Sequence, residues 1–387
     1  MLMLNKVKGM LADKPVNTGR QLDVDIAKAE MVLMLPFIHC IIECTSEEGL
    51  CSGIPYLFDT IIGGPFSGPM YLFAMGIALV YSRKVTPGLQ LKRGLILLGI
   101  FYLSNTCRFL IPYMIGYKIS GDREQFIDPL FYRWLGNDVL LFASLAIITI
   151  AVFRYLGLSD KAMLGIAAAM TVASSLIGDV DTHSMFGNIF LGYFIGTDDA
   201  TGLVISDFPL MTWLIIPVSG MVFGRVLIRV KNKREFYRTV SWIPLIIALA
   251  YFPVGIHFGW GMFGEGQNCY YHKKIWDVCI CLCLDVGMLG VWYALSRRLP
   301  TGAKAFFSEV SANITAIYCI HWVFVRTITN VIIYIINGTQ LLPLWETMLL
   351  SLAILMVSLV MAHYYKILKA AFIARIKNSS GNPVHNE

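Results

Sequence analysis

The sequence predicts an all-α polytopic membrane protein of about ten transmembrane helices with both termini cytoplasmic. Three observations predict it. Hydrophobic residues make up 57% of the 387-residue chain and charged residues only 14%, where a soluble domain would carry about 25%. Apolar runs long enough to cross a bilayer follow one another through the chain. The basic residues between those runs fall on alternate sides.

Residues 1–28 are polar and mixed in charge, and they lack a small-residue cleavage site. They read as a cytoplasmic segment with an amphipathic lead-in, not as a cleavable leader. A single transmembrane domain is expected over 29–366, with spans at 29–45, 66–82, 94–116, 134–154, 162–178, 208–228, 239–262, 275–296, 310–336 and 344–366. With the N-terminus inside, the inner loops carry Arg83, Lys84, Lys92 and Arg93, then Arg154 and Lys161. They continue with Arg225, Arg229, Lys231, Lys233, Arg234 and Arg238, then Arg297, Arg298 and Lys304. The outer loops carry only Lys118, Arg123, Arg133, Lys273 and Lys274, so the alternation favours this orientation. Segment 178–207 has Asp179, Asp181, Asp198, Asp199 and Asp207 and no Lys or Arg. Its apolar centre reads as a re-entrant or interfacial piece over the outer mouth. Residues 367–387 read as a cytoplasmic tail, partly disordered.

The net charge of +6 is a matter of topology, and no nucleic-acid partner is expected. Cys279-x-Cys281-x-Cys283 has the look of a metal motif. Side chains two apart on a helix diverge by about 200°, so core packing is expected and no metal. Cys51 and Cys269 fall in outer loops, where a disulfide between them stays open.

Ionisable groups inside spans are expensive and mark sites. They are His39, Glu43, Arg108, Asp138, Asp285, His321 and Arg326. Lys28 and His39 are eleven residues apart, three helical turns with about 20° left over, so they share a face about 16 Å apart. Glu43 follows at i+4 on the same face. A cation at the membrane edge thus leads to an imidazole at depth, a suitable general base, with a carboxylate beside it to fix its tautomer. Asn137 and Asp138 open the fourth span, as a cap or as part of a site. Asp285 and Arg326 read as a pair between the eighth and ninth spans, and His321 reads equally as core or site. Arg108, just before Pro112, is placed either to hold an anion or to reach the surface.

Asp25-x-x-Lys28-x(10)-His39 resembles the basic-x(10)-His signature of integral-membrane acyltransferases of the acyltransferase-3 branch, with Lys where that branch usually has Arg. Further stretches resemble the heparan-α-glucosaminide N-acetyltransferase-like branch: 64–83, 91–98, Gly136-Asn-Asp-Val-Leu140, Phe208-Pro-Leu-Met-Thr-Trp213 and Ile317-Tyr-Cys-Ile-His-Trp322. The resemblance implies an acyl-CoA-dependent O- or N-acyltransferase that moves an acyl group, usually acetyl, from cytoplasmic acetyl-CoA to a hydroxyl or amine, often on a sugar. It implies Lys28, with Arg83, Lys84, Lys92 and Arg93, at the CoA phosphates. His39, with Glu43, would be the base or itself carry the acyl group. Asn137, Asp138 and Arg108 would line the acceptor side. The expected setting is a bacterial inner membrane, with a homodimer left open. The competing reading is a proton-coupled transporter of a small anionic or sugar-like solute, with His39, Glu43, Asp138 and Asp285 as its proton relay.

Overall fold

The computed structural model describes residues 2–82, 86–199, 206–264 and 267–379. Among them there are helices, turns and two isolated bridges, and no strand. A helix forms at each expected span. We number these α1 (Leu22–Cys44), α2 (Gly68–Tyr81), α3 (Pro87–Ser120), α4 (Val139–Tyr155) and α5 (Asp160–Ile177). They continue as α6 (Leu210–Leu227), α7 (Trp242–Phe258), α8 (Ile275–Ser296), α9 (Ile314–Asn337) and α10 (Leu344–Ser379). Eight helical stretches among the described residues are long and apolar enough to cross a membrane. The chain is therefore an all-α, multi-pass membrane protein. The two helices that fall short are α1, interrupted by charges, and α2, only 14 residues long.

Helix α1 is the hub. It packs against α2, α8, α9, α10 and the helix Thr301–Ala312. Buried residues run along its whole length, Asp23 and Asp25 among them. Such a helix must bring partners for each polar side chain it buries, and these partners organise the two ends of the bundle.

At its N-terminal end, Asp23 accepts from Lys233 Nζ at 2.8 Å and from Tyr237 Oη at 2.5 Å. Arg20 pairs with Asp25 and reaches the Ser308 carbonyl at 2.6 Å. Residues 10–17 lie along 228–231, joined by Ala12 N–H to Arg229 O and Lys231 N–H to Met10 O. His363 and Lys366 of α10 meet Glu309. The N-terminal segment, residues 228–240, residues 301–312 and the later part of α10 thus gather at one basic end. At the far end, Tyr193 Oη donates to Leu135 O, Asn137 Nδ2 to Phe208 O, Trp213 Nε1 to Tyr271 O, and Leu342 N–H to Cys44 O. These contacts join the loops that the charge pattern assigns to the opposite side.

Close helix crossings rely on glycine. A Cβ on Gly76 of α2 would lie 2.0 Å from Pro217 O, and one on Gly220 of α6 would lie 2.1 Å from Phe73 O. Such small-residue contacts let backbones touch where lipid offers no hydrophobic drive.

The structure adds detail on the tail, the loop after α5 and the cysteines. Helix α10 continues past Lys366 to Ser379, so the span and the start of the tail are one helix. Segment 178–199, expected as a re-entrant or interfacial piece, holds the helix Met185–Leu191 and a bridge between Val180 and Thr197. Cys51 is an exposed free thiol, so its disulfide with Cys269 is not formed. On α8, Cys279 is exposed while Cys281 is buried, the divergence that helical geometry imposes.

Candidate functional site

The site forms where α1, α3, α4 and α9 converge. His39 of α1 is half-buried while its neighbours Ile38 and Cys40 are fully buried. Lys28 repeats that pattern between buried Ala27 and Ala29, so the two share a face that is not sealed by packing. The His39 ring lies 3.9 Å from that of Trp322 and is stacked at 5.6 Å on His321, both from α9.

His321 is fully buried, and its Nδ1 lies 3.1 Å from the Ile317 carbonyl. A carbonyl can only accept, so Nδ1 carries the proton and Nε2 presents its lone pair. That Nε2 has no hydrogen-bond partner among the described residues. The sequence reading left this residue undecided. Its signal was there, a histidine one position before Trp322, but the partner that matters is eight spans earlier in the chain.

Two buried ion pairs flank the rings. Arg108 Nη2 meets Asp138 Oδ2 at 2.6 Å, and Tyr318 Oη donates to the same oxygen at 2.9 Å. The other carboxylate oxygen accepts from the N–H groups of Leu140 and Leu141 at 2.8 and 3.0 Å, capping α4. Asp138 is thus both cap and counter-ion. The second pair is Arg326 with Glu43, Nη1 to Oε1 at 2.6 Å, with Asn330 Nδ2 donating to Glu43 Oε2 at 2.9 Å. The guanidinium carbons of Arg108 and Arg326 stand 4.9 and 5.0 Å from the Trp322 ring. Arg108 lies within a π-helical turn, Thr106–Leu110, and a second, Ile328–Ile333, begins two residues after Arg326 and carries Asn330. Such widened turns re-aim side chains and recur at functional sites.

The Glu43 pairing corrects two expectations. Its carboxylate is engaged by Arg326 and Asn330, not by His39, because the glutamate stem carries it toward the end of α9. Arg326 therefore does not pair with Asp285. That aspartate is fully buried on α8, with neither oxygen hydrogen-bonded among the described residues.

Asn137 spends its amide on Phe208 O, holding the loop before α6, while its Oδ1 has no partner among the described residues. Phe208 holds a left-handed backbone, φ 50°, at a cost of about 1–3 kcal/mol. The rings of Trp213 and Tyr271, at 4.6 and 5.2 Å, fix it there. Next to it, burial pushes the Asp207 carboxyl up to about 7, with the Asp138 charge acting the same way. Asp207 is a proton-holding group near neutrality that the sequence reading passed over as one loop acid among several.

At the basic end, Lys28 Nζ is 3.9 Å from Asp25 Oδ1, on a carboxylate that Arg20 and Ser311 already engage. Arg93 lies near enough to act on Lys28 electrostatically. Lys92 and Arg93 are exposed. Arg83 and Lys84 lie outside the described residues. The sequence-predicted residues therefore form two groups along α1: Lys28, with Arg93 of α3, at the basic end, and His39 and Glu43, with Arg108 of α3 and Asp138 at the start of α4, further along.

No family model, curated protein or solved structure matches the chain.

Proposed function

We propose that this is a membrane acyltransferase of ten spans with both termini cytoplasmic. It takes an acyl group, most simply acetyl, from cytoplasmic acyl-CoA and passes it to a hydroxyl or amine of a sugar-like acceptor at the opposite end. The single observation that carries this reading is the layout of α1. The helix presents Lys28 at the basic end and, three turns on, the half-buried His39 against Trp322, the ring on which two buried guanidinium groups also stand. An anionic donor and a mid-membrane acyl transfer need those groups in that order. The clustering of the N-terminal segment with residues 228–240 and 301–312 supports the assignment of this end to the cytoplasm.

In the reaction, the acceptor oxygen or nitrogen attacks the thioester carbonyl carbon while His39 takes its proton. The C–S bond then breaks, and the imidazolium returns the proton to the departing CoA sulfur. Negative charge developing on the carbonyl oxygen falls beside Arg108 and Arg326, whose positions are fixed by Asp138 and Glu43 before substrate arrives. His321 stacks beside His39 and keeps its Nε2 lone pair free of hydrogen bonds among the described residues. Transfer through an acyl-His39 intermediate uses the same groups.

A proton-coupled transporter is the second reading, favoured by Asp285, a fully buried carboxyl with no hydrogen-bond partner among the described residues. Vesicles containing the purified protein separate the two. With acetyl-CoA outside and a glucosamine acceptor inside, the enzyme reading predicts CoA thiol release in step with an acetylated product in the lumen. Acceptor uptake driven by a pH gradient, with no thiol release, would replace it by the transporter.

A further inference from the structure

A cavity remote from His39 lies at the basic end. It has a volume of about 420 Å³ and opens between α7, α8 and the helix Lys233–Val240. Arg234, Arg238, Arg297 and Arg298 line it, together with Ser241 and Gly290. None of the four arginines forms an ion pair among the described residues, although Arg20, Arg108, Arg225 and Arg326 each do. The Ser241 hydroxyl is buried without a hydrogen-bond partner among them. Gly290 makes room: a Cβ there would sit 2.5 Å from Ser241 Oγ. A concave site with unpaired cations and an unused hydroxyl is built to take an anion with several acceptor oxygens.

The shape is that of an amphiphile's site. Below the arginines the wall turns apolar, with Trp242, Leu245 and Val291. Trp242, Ile243 and Ile246 are exposed along the start of α7. In a span, that exposure faces acyl chains, and a tryptophan at this level marks the interface. An anion entering from water would need no such apolar flank. We propose that this cavity binds the phosphate headgroup of an anionic phospholipid, with its chains lying along α7. Basic pockets between helices on the positively charged side of a membrane protein suit such lipids. The site is separate from the Lys28 group, whose charged neighbours are Arg20, Asp25 and Arg93.

The site also bears on α1. Tyr237 lines the cavity and donates to Asp23 at the first turn of that helix, so an occupant braces the base of the helix that carries His39.

Native mass spectrometry of the full-length protein in neutral detergent tests this, with equal amounts of phosphatidylglycerol and phosphatidylcholine added. The wild type is expected to retain phosphatidylglycerol at least five-fold over phosphatidylcholine. The Arg238→Gln/Arg297→Gln variant is expected to bring that ratio close to one, while Lys92→Gln/Arg93→Gln keeps it. Equal retention of the two lipids by the wild type, or an undiminished ratio in the Arg238→Gln/Arg297→Gln variant, would overturn the assignment. Displacement of phosphatidylglycerol by acetyl-CoA or inorganic phosphate would also overturn it, reassigning the cavity to a soluble phosphate ligand. Should the double variant fail to fold, Arg297→Gln alone, at an exposed position, is expected to halve the preference.

Discussion

Asp138→Ala is expected to leave too little folded protein to survive extraction into detergent. The substitution removes three things together. The N–H groups of Leu140 and Leu141 lose their cap, worth about 1 kcal/mol. The Tyr318 hydroxyl loses its acceptor, about 1–3 kcal/mol for a buried group. Above all, Arg108 is left charged and buried, and breaking a buried pair from one side costs about 3–5 kcal/mol. Even without full additivity the sum rivals a typical total stability of about 5–15 kcal/mol. Asp138→Asn keeps the cap oxygen and should fall between the two. Combining Asp138→Asn with Arg108→Met, which removes both charges, should recover much of the loss, because a neutral pair replaces a stranded ion. Thermal melting in detergent reads this series. An Asp138→Ala protein that melts like the wild type would mean that the ion pair is not buried as described.

The second large effect is on chemistry. His39→Ala is expected to lower acyl transfer by about 10²–10⁴-fold, the usual contribution of a positioned base, with acetyl-CoA binding unchanged. The ring is half-buried against Trp322 and His321 rather than sealed in the core, so its removal should leave the fold intact. Lys28→Ala should do the opposite. It is expected to weaken acetyl-CoA binding about ten-fold, worth about 1.4 kcal/mol, and leave the rate at saturation near the wild type. Radiolabelled acetyl-CoA binding beside a thiol-release assay separates the two. Loss of donor binding in His39→Ala would move that histidine from base to donor site.

What the sequence made legible follows from periodicity. The spans are read from apolar runs, and the face shared by Lys28 and His39 is read from their eleven-residue spacing; the burial pattern of α1 repeats both. Pairings across the bundle were not legible. Glu43 lies on the expected face, yet its carboxylate belongs to Arg326, brought there by a helix contact that no local spacing encodes. Asp285, expected to take that arginine, has no partner among the described residues for the same reason. Asp138 shows both sides of the matter. Its capping role is local and readable from Asn137-Asp138 before an apolar run, while its bond to Arg108 depends on how α3 and α4 pack. Asp207 depends on burial that only the folded loop creates.

The most direct measurement of the central claim is CoA thiol release from acetyl-CoA by the purified wild-type protein, with and without an amino-sugar acceptor. The account predicts saturable acetyl-CoA binding, slow release to water, and faster release when the acceptor is present. A well-folded wild-type protein that neither binds nor cleaves acetyl-CoA would contradict it.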